Sequence, residues 1–145
     1  VGSEMCIRDS INTVQYQKKE QNIELNELET LNVPEWLTRN TLLFSTDAFN
    51  KALYLQTGIT FNYFTKFYAD YYNPLISEFV TQNYKMIGDY PRFDFFVNAK
   101  IERTRIFVKV EHLNSSSTGY DYYSDPFNPY RDLSVRFGVV WNFFE

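Results

Sequence analysis

The chain is 145 residues long and holds one cysteine, Cys6, and one histidine, His112. One thiol cannot build a disulfide framework or a thiolate metal site. One imidazole among scattered carboxylates lacks the converging ligands that zinc or iron need, so no metal and no other cofactor is expected. Basic residues are outnumbered, 14 Lys and Arg against 18 Asp and Glu, for a net charge of -4. That balance argues against a nucleic-acid partner, which would be held through its phosphates. No run of about 18 apolar residues is present, so no helix is long and apolar enough to cross a membrane. Crossing by strands is untouched by that absence, because a transmembrane strand needs only about 9–11 residues of alternating character.

Aromatic residues are what the chain has in excess. Twelve tyrosines and 14 phenylalanines bring them to 19%, inside an ordinary hydrophobic share of 44%. Rings of this kind crowd the two headgroup interfaces of membrane barrels. A mean hydropathy of -0.40 fits strands of which one face is wet.

The stretch from Arg131 to Phe144 shows the pattern most clearly. Leu133, Val135, Phe137, Val139, Trp141 and Phe143 hold one parity, and Asp132, Ser134, Arg136, Gly138 and Asn142 hold the other. Side chains alternate faces along a strand, so one face is apolar and aromatic and the other polar or small. The succession Arg136, Gly138, Trp141, Phe143 resembles the C-terminal insertion signal of bacterial outer-membrane β-barrels. An ordinary core strand would also alternate, but it would hide its greasy face under a second layer.

Upstream, the same period recurs. Ile11 to Lys19 sets Val14 and Tyr16 against Gln15 and Gln17. Asn22 to Leu31 fits a strand or one to two helical turns equally well, and Pro34 ends whatever precedes it. Thr38 to Ala48 is a strand, Leu42, Phe44 and Ala48 opposing Arg39, Thr41, Ser45 and Asp47. Lys51 to Ala69 keeps parity too long for a period of 3.6 and reads as one long strand projecting past the bilayer. Asn73-Pro74 and Gly88-Asp89-Tyr90-Pro91 mark turns, with a short strand or a folded-in loop segment at 76–85. Phe93 to Ile101 and Ile106 to Glu111 form a hairpin around Glu102-Arg103-Thr104. Asn114 to Tyr130 is a long loop rich in Ser, Asp, Pro and Tyr. About seven antiparallel strands result. Short connections near Asn50 and Arg103 alternate with long ones at 71–91 and 114–130, the asymmetry of short periplasmic turns and long external loops.

Several of these segments together carry a family likeness. Arg39-Asn40-Thr41-Leu42-Leu43-Phe44, Lys51-Ala52-Leu53-Tyr54-Leu55-Gln56-Thr57-Gly58, Phe93-Asp94-Phe95-Phe96-Val97-Asn98-Ala99-Lys100-Ile101, Arg105-Ile106-Phe107-Val108-Lys109 and the closing Arg136 to Phe144 resemble the C-terminal part of the putative porin family of Gram-negative outer membranes. The resemblance runs from about Arg39 to the end. It implies an outer-membrane β-barrel forming a passive pore for small polar solutes, with no particular substrate attached. It also implies outer-membrane lipid as the surroundings and the barrel-assembly machinery as the partner of the last strand. Residues 1–10, Val1 to Ser10, resemble translated sequencing-adapter sequence. The expectation is therefore a C-terminal part of a barrel at 11–145, seen as an open curved sheet, since unpaired strand edges cannot persist in hydrocarbon.

The polar parity nominates a pore lining: Arg39, Asp47, Gln56, Asn62, Lys66, Asp94, Asn98, Lys100, Arg105, Lys109, Glu111, Asp132 and Arg136. Both signs occur, so no ion preference follows. No catalytic residue is expected. His112 beside Ser115, Ser116 and Ser117 could be imagined as an outer-membrane lipase, yet a catalytic serine needs a positioned base and oxyanion donors. Asp121, Asp125, Asn114 and Asn128 lack the spacing of a calcium loop. Tyr120, Tyr122, Tyr123 and Tyr130 are expected to anchor the outer headgroup layer. Rival readings are the barrel of an energy-coupled receptor, the lipase, and a soluble β-sandwich or lipocalin-like binder that would bury the aromatic face.

Overall fold

A computed structural model describes residues 6–20, 32–49, 52–117 and 119–143. The segment 22–31, left open between strand and helix, lies outside the described residues. Among those described there are ten strands and no helix. In chain order they are β1 (Cys6–Tyr16), β2 (Trp36–Ala48), β3 (Leu53–Phe64), β4 (Phe67–Tyr68), β5 (Tyr71–Asn73), β6 (Glu78–Val80), β7 (Met86–Ile87), β8 (Arg92–Ile101), β9 (Thr104–Glu111) and β10 (Ser134–Trp141).

Six of them make one antiparallel sheet in the order β1-β2-β3-β8-β9-β10. Sequence neighbours pair directly, β2–β3 and β8–β9 through tight turns and β1–β2 and β9–β10 through long connections, and β3 meets β8 because the residues between them fold into two small ribbons, β4 with β7 and β5 with β6. The sheet is open, with β1 and β10 at its free edges. It curls enough that side chains of all six strands, from Ile11 on β1 to Arg136 on β10, bound one concavity of about 490 Å³.

The long connections share one end of the sheet and the tight turns the other. At the tight end, Ala52 N–H donates to Phe49 C=O at 3.1 Å, and Phe49 sits at φ 54°. The β8–β9 turn needs only Glu102 and Arg103, since Ile101 already pairs with Thr104. Glu102 takes φ 49° there, a left-handed backbone that costs a non-glycine residue roughly 1–2 kcal/mol.

Two expected boundaries shift. β1 runs back to Cys6, through the adapter-like segment. The single strand expected over Lys51 to Ala69 stops at Phe64. Its neighbour is the cause: β2 begins at Trp36, whose carbonyl takes the Thr65 N–H at 3.0 Å, and no residue of β2 remains to extend the ladder. The Phe64 carbonyl instead receives Asp89 N–H at 2.9 Å, and the chain turns off into β4. The segment 76–85 supplies β6 and a staple. Buried Gln82 donates to the carbonyls of Ala69 (2.6 Å) and Lys85 (2.8 Å) and accepts from the N–H groups of Tyr84 and Lys85, in place of ladder bonds that such short ribbons lack.

Where the core sits decides what solvent the fold is made for. The buried hydrophobic residues are Ala69, Ile87, Tyr90 and Tyr122, all in or between the small ribbons and loops. The apolar parity of the sheet is bare: Phe137 is 81% exposed, Leu42 66% and Val139 63%. Among the described residues no second layer covers Val135, Phe137 or Val139. A soluble sandwich or binder would bury this face, because strand apolar area is its main stabilising resource.

Candidate functional site

The register sorts the expected polar residues. Reading across the ladders, Arg39 faces Asn62, which faces Arg92; Thr41 and Thr60 lead to Asp94; Gln56 lies beside Asn98, and Tyr54 beside Lys100. On the other side Lys109 is opposite both Phe96 and Arg136, and Arg105 is opposite Lys100. Eleven of the thirteen nominated side chains thus share one face, the concave one. The other two, Lys66 and Asp132, stand in the connections: Lys66 pairs with Asp89 at 3.5 Å, and Asp132 accepts the Tyr122 hydroxyl.

Of the three nominated acids on this face, Glu111 and Asp94 are already engaged. Glu111, almost buried, takes Lys109 at 2.7 Å along its own strand and Arg136 at 2.9 Å across the ladder. Asp94 accepts the His112 backbone N–H at 3.0 Å and the Asn62 amide at 3.4 Å, and lies 3.6 Å from Arg92 Nε. Two phenylalanines break the polar parity, Phe96 and Phe107. Each lies directly opposite a glycine, Gly58 and Gly138 respectively, and spreads its ring over the space a side chain would have filled. This is the aromatic cover that glycine in a sheet invites.

The loops fold inward over the mouth of the concavity. His112, fully buried, adopts φ 57°; its Nδ1 lies 2.8 Å from the Arg131 carbonyl, which places the proton on Nδ1. Tyr122 stands edge-on to His112 at 4.5 Å, with Tyr90 and Tyr130 on its other sides. The Arg92 guanidinium lies over Tyr130, 4.6 Å from the ring centre, and Phe64 of β3 meets Tyr90 at 5.5 Å. Asn114 imitates a strand by donating to Pro91 C=O at 2.7 Å and accepting from Phe93 N–H at 3.0 Å. The hydrogen bond to Asp132, with burial adding to it, raises Tyr122 from 10.0 to about 12. A raised phenol keeps its contribution below its unfolded value, so this contact stays whole up to about pH 10 and fades only as pH climbs through the folded value.

The tyrosine anchors are thereby corrected. Tyr122 is buried against His112, Tyr123 takes Lys85 on its face at 3.3 Å, and Tyr130 stacks with Arg92; of the four, Tyr120 alone is fully out, at 88% exposed. Tyr130 ties the loop to the wall through Arg92 of β8, while Tyr122 and Tyr123 hold loop residues together. Ser115, Ser116 and Ser117 make no hydrogen bond with the His112 ring among the described residues; Ser115 N–H only closes a turn onto the His112 carbonyl. Asp125 and Asn128 bond one another in a tight turn, and among the described residues no cluster could hold a metal.

Asp94 is the joint between wall and loop, which gives a direct test. Asp94→Ala strands the His112 N–H and the Arg92 guanidinium, and a buried donor without a partner costs about 1–3 kcal/mol. Cleavage of the folded protein within 112–133 by added protease should speed up accordingly. Asp94→Asn keeps an acceptor for the His112 N–H and should stay close to the parent; equal cleavage of parent and alanine variant would show that the loop is held elsewhere.

An open antiparallel sheet with a bare apolar convex face and a charged concave one is the wall architecture of a transmembrane β-barrel. The chain matches the family described as putative porin over residues 10–145, and it belongs to that family. No curated protein and no solved structure matches it.

Proposed function

We propose that this chain forms part of the wall of an outer-membrane channel for passive diffusion of small polar solutes. One observation carries the reading: the strands present their apolar parity to the outside and their charges to a common concavity, while what core there is lies in the loops. Apolar strand faces left bare in water would aggregate, whereas in hydrocarbon they need no cover. The edges of β1 and β10 still have unpaired backbone groups, which argues that further strands close the barrel in the bilayer. In that arrangement the three long connections lie outside the cell and the tight turns at Phe49 and Glu102 face the periplasm. Trp141 and Phe143, stacked at 4.6 Å at the tight end, then form the ring pair read by the assembly machinery. No residue is proposed to be catalytic.

The test is planar-bilayer conductance of the protein purified from outer membranes. Discrete, voltage-independent steps without an energy source are expected. A barrel that inserts and stays silent would instead favour a structural or receptor role.

A further inference from the structure

Building on the channel reading, we infer that the periplasmic half of the concave face holds a binding site for small oxyanions carrying two negative charges. From β2 to β10 that face carries six cations, Arg39, Arg92, Lys100, Arg105, Lys109 and Arg136, against three carboxylates, Asp47, Asp94 and Glu111. The excess is positive although the whole chain has a net charge of -4. Pairing sharpens it. Glu111 is shared by Lys109 and Arg136, and Asp94 is taken by Arg92, Asn62 and the loop.

Arg39, Lys100 and Arg105 are left over, and of these Lys100 and Arg105 stand directly opposite one another across the β8–β9 ladder. Among the described residues neither side chain has a hydrogen bond or an ion pair. The acid of that row, Asp47, is two strands away, across Tyr54. Like charges directly opposed on a sheet repel, so this pair weakens the hairpin unless something negative sits between. Both line a hollow of about 400 Å³ with Tyr54, Gln56, Asn98 and Phe107. The Asn98 amide donates to Gln56 Oε1 at 3.2 Å, which holds Gln56 with its own amide nitrogen free to donate. A guanidinium fork, an ammonium and an amide N–H converge on one hollow, and phosphate and dicarboxylates present the matching oxygens.

The experiment is ion selectivity in planar bilayers at low salt, where lumen charges are least screened. Chloride is expected to permeate several-fold better than potassium, and millimolar inorganic phosphate or succinate should slow the chloride current. Lys100→Gln with Arg105→Gln removes the repulsion as well as the charge, so the barrel should form. It should bring the permeability ratio close to one and weaken the block by both anions about tenfold. Lys100→Glu with Arg105→Glu should turn the preference to potassium. A conducting parent without anion preference, or variants that keep it, would overturn the site and leave the channel standing; no current from any form removes the channel reading instead.

Discussion

Gly58→Ala is expected to cost about 3 kcal/mol or more and to leave most of the protein unfolded after refolding into lipid, far beyond the effect of the same change at Gly138. At 58 the added methyl would lie 2.5 Å from the Leu42 carbonyl oxygen and 2.8 Å from the Phe96 ring. The ring can turn away, but the carbonyl belongs to β2, which is fixed by ladders to β1 and β3 on either side. Overpacking typically costs about 1–3 kcal/mol when side chains alone give way, and more when the backbone must. At 138 the clash is with the tip of the Phe107 ring, at 2.5 Å, on an edge strand paired on one side only. Rotation of that ring relieves it, so Gly138→Ala should cost about 1–2 kcal/mol, and Phe107→Leu should restore the loss. In the Gly58→Ala background, Phe96→Leu should recover little. Urea midpoints of the four variants rank these expectations; equal losses at 58 and 138 would mean that the β2 carbonyl is free to move.

The two glycines also mark the limit of what parity could reveal. Alternation alone places Arg39, Gln56, Asn98 and Lys109 on one face, because a period of two leaves no other choice once a segment is a strand. Pairing is a different quantity. That Glu111 meets Arg136, or that Lys100 opposes Arg105, depends on register, which in a hairpin is set by the turn. The second pair follows from the observed two-residue turn, Glu102-Arg103, where the three-residue turn expected at 102–104 would have set Lys100 opposite Ile106; the first needs the length of the 112–133 loop. Phe96 and Phe107 look like errors in a polar face until Gly58 and Gly138 come opposite. Arg92 was hidden by Pro91, which reads as part of a turn, although it shares the parity of Asp94.

In the loops there is no period to read, so Tyr122 and Tyr120 look alike in sequence; one is buried and the other fully exposed. The overlong strand at 51–69 failed for a related reason. Its composition goes on alternating after Phe64, but a strand lasts only while a neighbour can pair with it, and β2 starts at Trp36.

Phe137→Lys tests the remaining link, from apolar parity to lipid. Phe137 is opposite Val108, midway along the β9–β10 ladder, and is the most exposed large side chain of that strand at 81%. In water a lysine at so open a position would be within about 0.5 kcal/mol of neutral. Near the middle of a bilayer it is expected to cost about 2–4 kcal/mol. Depth alone is not the obstacle, since Arg136 stands one residue away, turned to the concave side, where it meets Glu111 at 2.9 Å. Phe137→Leu, which keeps an apolar surface, should lose less than about 1.5 kcal/mol. Equilibrium unfolding by urea from phospholipid vesicles measures both. A lysine variant as stable as the leucine one would show that this face does not touch acyl chains, and with it the assignment of inside and outside would fall.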